Sequence, residues 1–210
     1  MPSRNQNFSE PYKAFVASMN VTVDEWRDGI GFNIEALNKV TDSEREALVK
    51  ILAERLETNP DWREIEALGA IGTVAAKEIL RRTAEQGNSK TRLHAAEQLA
   101  KMGEPEKLES VIIETLRKTS LGSGLSKAID MTKQHPSPRI LETLLNLALN
   151  GNEDQQINCA ALTLYLGGKA KEAFDWNHRP FFLKFGHDDR KVQIEAYNEL
   201  CERLGVAPKV

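Results

Sequence analysis

Cysteine and histidine are scarce in this chain: it has two cysteines and four histidines in 210 residues. Cys159 and Cys201 each lie in a helical pattern, beside Ala160 and Leu200. A thiol there packs as a small apolar group, so reduced core residues are expected in place of a disulfide or a redox pair. His94, His135, His178 and His187 share no HxxxH or HExxH spacing, and no cysteine or carboxylate stands at ligand distance from them in sequence. No metal, no cofactor and no catalytic residue is therefore expected. His187-Asp188-Asp189 reads as the start of a helix, where Asp is a cap. Gly122-Ser123-Gly124 lacks the GxxxxGK pattern of a phosphate loop.

Long apolar runs are missing too. None approaches the roughly 20 residues that span a bilayer, and Met1 to Glu10 has no signal-peptide core. A cytoplasmic protein without a membrane partner is the expectation. There is no excess of positive charge either: the net charge is -3, a poor match to a phosphate backbone, so nucleic acid is not an expected partner. Hydrophobic content of 40% with 28% charged residues is too apolar for disorder and fits a soluble globular chain.

What is present is a repeat. Ile34-Glu35-Ala36-Leu37 returns 31 residues later as Ile65-Glu66-Ala67-Leu68, and Leu99 follows at the same step. Met131, Leu164 and Leu200 continue the frame at steps of 32, 33 and 36, with Ala128, Ala160 and Ala196 just upstream. A period in the low thirties made of two helical runs marks stacked helix pairs. The clearest unit runs from Asn88 to Thr119: Leu93, Ala96, Leu99, Ala100 and Met102 form one stripe, Gly103 stops it, Pro105 suits the first turn of the next helix, and Leu108, Val111, Ile112 and Leu116 form the second stripe. The fold class expected is all-α, a right-handed superhelical solenoid of five to six helix pairs forming one domain over 1–210. Residues 1–22 would be an N-terminal cap, 23–187 the helix pairs and 188–210 a capping helix.

Local signals place the boundaries. Residues 1–10 are polar and expected to fray, and Tyr12, Phe15, Val16 and Met19 form an amphipathic cap. Thr22-Val23-Asp24-Glu25 and Thr41-Asp42-Ser43-Glu44 have capping-box form. The first box opens a helix carrying Trp26, Ile30, Ile34, Leu37 and Val40 at helical spacing. Gly29 and Gly31 inside it each cost about 1 kcal/mol relative to Ala, so either something packs closely on the backbone or Asp28-Gly29 breaks the helix. Trp26, Asp28 and Gly31 form one candidate partner surface. Ser120-Leu121-Gly122-Ser123-Gly124 reads as a flexible joint.

Charge is uneven. Asp24 to Ala67 holds 12 acidic and 6 basic residues, so this end could receive a basic partner or simply be a solvated face. Lys77, Arg81 and Arg82 line one side of a helix and could meet phosphate, or form a solvated ridge.

The repeat breaks between Gly167 and Gly186, where five of the chain's thirteen aromatics fall between Phe174 and Phe185. Pro180 forbids a continuous helix through Asn177. Asp175, Trp176, Arg179, Phe181 and Phe182 have the composition of an interaction hot spot. Alternatively Phe174, Phe181, Phe182 and Phe185 fill the core, with Arg179 and Asp175 as a local ion pair.

The string Arg92, Ala95-Ala96, Leu99, Gly103-Glu104-Pro105-Glu106 resembles the short bacterial HEAT-like repeats found in phycobilin-lyase subunits. Gly168-Lys169-Ala170, Phe174-Asp175-Trp176, Arg179-Pro180-Phe181-Phe182 and Asp189-Arg190, with Trp26, Asp28-Gly29 and Asp61-Trp62-Arg63, resemble a group of bacterial HEAT-like proteins that has no assigned activity. The first resemblance implies a fold. Kinship with small HEAT-like proteins of toxin loci implies an immunity role, with a basic toxin domain as protein partner. The functional expectation is a non-catalytic protein-binding module acting by occlusion. The alternatives are a scaffold with several partners, or a HEAT-like enzyme: a chromophore lyase, or a DNA glycosylase to which Asp175, Trp176 and Arg179 bear a faint similarity.

Overall fold

A computed structural model describes residues 8–120 and 123–208. The fraying expected of residues 1–7 and the Leu121-Gly122 part of the flexible joint lie outside the described residues. The chain is all-helical, with no strand among the described residues. It divides into two units, Met1–Pro105 and Glu106–Val210.

The first unit contains α1 (Glu10–Ser18), α2 (Val23–Arg27), α3 (Ile34–Leu37), α4 (Asp42–Thr58), α5 (Trp62–Ile71), α6 (Val74–Gln86) and α7 (Ser89–Lys101). Both capping boxes form, at Thr22 with Glu25 and at Thr41 with Glu44, and Asp61 caps α5. Helices pack on their neighbour and on the helix after it: α3 on α5, α5 on α6 and α7, α4 on α5 and α6. The repeat-frame residues Leu37, Leu68 and Leu99 are all buried, each contributing about 1.5–3 kcal/mol of apolar burial. Tyr12, Phe15 and Met19 of the first helical segment are buried as well, through the packing of α1 on α3.

The helix expected to run on from Val23 is interrupted. α2 ends with Asp28 as its C-cap, and Gly29 takes φ of 70°, a left-handed conformation that glycine adopts without the Cβ penalty. The Ile30 N–H bonds to the Glu25 carbonyl at 2.9 Å and closes the turn. Gly31 sits close to two side chains of α5. A Cβ there would stand 3.4 Å from Cη2 of Trp62 and 3.3 Å from Oε2 of Glu66.

The second unit contains α8 (Leu108–Lys118), α9 (Leu125–Gln134), α10 (Pro138–Asn150), α11 (Glu153–Leu166), α12 (Arg179–Phe182) and α13 (Arg190–Leu204). Pro105 opens a 3-10 turn ahead of α8. Neighbour and next-neighbour packing recurs: α8 on α9 and α10, α9 on α11, α11 on α10 and α13. Met131, Leu164 and Leu200 are buried in frame with Ala128, Ala160 and Ala196. Gln155 ties two helices together, its Nε2 donating to the Leu116 carbonyl at 2.7 Å and the Thr119 carbonyl at 3.2 Å. The same side chain completes the capping box with Asn152. Cys159 and Cys201 are free, buried thiols, and burial pushes the Cys159 thiol up to about 12.

Candidate functional site

Between α11 and α13 the chain forms a 3-10 turn at Trp176–His178, the single turn α12, and a second 3-10 turn at Leu183–Gly186. Short helices of this kind are held by tertiary packing, since propensity alone cannot nucleate them. Phe182 and Phe185 are fully buried and Phe181 nearly so. The rings meet at 5.9 Å for Phe181 and Phe182, and edge-on at 5.5 Å for Phe181 and Phe185. The guanidinium of Arg203 lies 4.2 Å from the centre of the Phe181 ring, and Lys184 reaches Glu199 of α13 at 3.4 Å. Phe181 and Phe182 are thus corrected from partner-binding candidates to core residues, because Pro180 starts a turn whose aromatic side faces inward.

Asp175 is corrected in the same way. Its side chain is buried and accepts the backbone N–H of Lys171 at 3.1 Å and of Asn177 at 3.0 Å. These amides hold its carboxyl below the usual range despite burial. The carboxylate caps the 3-10 turn instead of pairing with Arg179.

Trp176 and Arg179 are brought together at the surface. Trp176 is 71% exposed. The Arg179 guanidinium sits 5.5 Å from the centre of its ring, a cation–π contact of about 0.5–1 kcal/mol at an exposed site. Beneath the indole, Phe174 makes an edge contact at 6.0 Å and itself packs on Phe182 at 5.3 Å. An exposed Trp–Arg pair therefore stands on an aromatic foundation.

The other two candidates lie in the first unit. Trp26 is 65% exposed on α2. Asp28 is also exposed and lies 3.4 Å from Arg27, which in turn reaches Asp24 at 3.1 Å.

Sequence reasoning named Arg63 only as part of a resemblance and gave it no role. Its guanidinium is buried, donates to the Ile30 carbonyl at 2.6 Å and to Asp61 at 3.0 Å, and lies 4.8 Å from the centre of the Trp62 ring. It fixes the loop after Trp26. A basic residue in the first turn of a helix carries no burial signal, so the pattern could not reveal it.

The basic ridge is partly paired. Arg81 binds both oxygens of Glu104, at 2.9 and 2.7 Å, and Lys77 lies 3.7 Å from the same carboxylate. Arg82 instead lines a groove of about 460 Å³ with Leu56, Pro60 and Ile79, and no histidine or cysteine lines that groove. Among the described residues no group of three or more His, Cys, Asp or Glu is placed to hold a metal ion, and no helix is long and apolar enough to cross a membrane. Compared with protein-family models, curated proteins and solved structures, the chain finds no match.

Proposed function

We propose that the chain is a non-catalytic protein-binding module that acts by occlusion, covering its partner with a preformed surface. The observation that carries this is the Trp176–Arg179 pair, exposed yet anchored through Phe174 to buried Phe182. Trp and Arg give large contact area, and side chains already ordered before association lose little entropy in the complex. The next-neighbour helix packing inside each unit, together with the 31-residue echo, supports a HEAT-like right-handed solenoid as the frame for that surface. Working in the cytoplasm as an immunity protein against a basic toxin domain is the sharpest form of the proposal. The 12 acidic residues between Asp24 and Ala67 would speed such an encounter.

The Asp175 carboxylate accepts two backbone amides, a capping role that gives the glycosylase-like alternative no added support. Calorimetric titration with the partner tests the proposal. Trp176→Ala and Arg179→Ala should each weaken binding by about 30-fold, roughly 2 kcal/mol, in a protein whose melting temperature falls by no more than about 4 °C. Undiminished affinity in both variants would reduce the pair to surface decoration.

A further inference from the structure

The groove that Arg82 lines, within the first unit, is built from two helix faces. α4 contributes Ala53, Leu56 and Glu57, spaced i, i+3, i+4, and α6 contributes Ile79, Arg82 and Gln86, spaced i, i+3, i+7, so each set lies along one side of its helix. Asn88, the cap of α7, borders the same space. Ala53, Leu56 and Ile79 are half-buried and give the groove an apolar lining. Its volume of about 460 Å³ falls in the range of small-molecule sites, about 300–1,000 Å³. Opposite charges line it as well. Arg81 is spent on Glu104, but Arg82, one residue on, has no hydrogen-bond or ion-pair partner among the described residues, and neither has Glu57 on the α4 side. Gln86 is likewise unpartnered among them. The Asn88 Oδ1 accepts the amides of Lys90 and Thr91 at 3.1 and 3.0 Å, which leaves the side-chain NH2 of Asn88 to donate.

We propose that this groove binds a small zwitterion with an apolar side chain: an α-amino acid of the leucine kind, free or in a short peptide. The two unpaired charges select it. A ligand carrying a carboxylate alone would answer Arg82 and set its charge against Glu57, and one carrying an ammonium alone would do the reverse. A zwitterion meets both walls, its carboxylate on the Arg82 guanidinium and its ammonium on the Glu57 carboxylate. The apolar side chain then covers Leu56 and Ile79, and Gln86 and Asn88 supply amide donors for the carboxylate. This site stands apart from the Trp176–Arg179 pair, which belongs to the second unit, and does not rest on the binding function proposed above.

The test titrates the full chain with L-leucine and with leucyl-leucine, read by saturation-transfer NMR of the ligand. Three controls take the amino acid apart: isocaproate lacks the ammonium, isoamylamine lacks the carboxylate, and glycine lacks the side chain. Leucine or leucyl-leucine should bind saturably, and each control about tenfold or more weakly than the better of them. Arg82→Gln and Glu57→Gln should each weaken that binding by about tenfold. Arg82→Gln should also close the gap between leucine and isoamylamine, and Glu57→Gln the gap between leucine and isocaproate. Both side chains are exposed and unpartnered among the described residues, so both variants should fold and melt as the parent does. Trp176→Ala should leave leucine binding as it is. Tighter binding of leucyl-leucine supports the proposal with a peptide as the source of the ligand, and tighter binding of leucine supports it with the free amino acid. Absence of saturable binding by both, equal binding of isocaproate or isoamylamine, or full affinity in both variants would overturn it.

Discussion

Phe182 and Trp176 stand in one short aromatic stretch and do opposite things. Phe182 is fully buried, whereas Trp176 is held out into solvent with Arg179 over its ring. Phe182→Ala removes a ring from a packed site and should lower unfolding free energy by about 3–5 kcal/mol. Trp176→Ala loses the exposed contacts with Arg179 and Phe174 and should lower it by only about 1 kcal/mol, and urea denaturation of the two variants checks the contrast. Composition marked the stretch as exceptional. It could not say which rings face inward, because Pro180 breaks the helical period that elsewhere sorts faces. At Leu37, Leu68 and Leu99, where the period runs undisturbed, the pattern identified buried residues directly.

At the scale of elements, caps were legible and inter-helix ties were not. Thr22, Thr41 and Asp189 act as caps where the motifs place them. Glu44 does more than its motif says: it completes the capping box with Thr41, and it also accepts the Ser9 N–H at 2.6 Å and the Ser9 hydroxyl at 3.0 Å, joining α1 to α4. Gln155 ties α8 to α11 in the same unannounced way. Burial of Glu44 opposes its charge, but hydrogen bonds from Ser9 and Thr41 prevail and set its folded pKa below the reference value of 4.5. A carboxyl with a depressed folded pKa contributes stability that is complete above the unfolded value and is lost as pH falls through the folded value. Glu44→Gln should therefore destabilise the protein at neutral pH. The gap from wild type should close as pH drops below 4.5, which denaturant melts across that range would follow; a gap independent of pH would show that the charge contributes nothing.

At the scale of the whole molecule, the period was the most legible feature, since it is written in the spacing of buried side chains. The exposure of Val23, Trp26 and Ile30 was the least. Their spacing is that of one face of an unbroken helix, but α2 ends at Arg27 and Gly29 turns the chain ahead of Ile30.

Affinity capture on the immobilised full chain from the lysate and secreted fraction of the source organism, read by mass spectrometry against a Trp176→Ala/Arg179→Ala control, tests the central claim most directly. The account predicts one dominant protein at one-to-one stoichiometry, retained at low salt, released as salt rises and absent from the control. Recovery of nucleic acid alone, of many proteins at low occupancy, or of the same protein on the doubly substituted chain would contradict it.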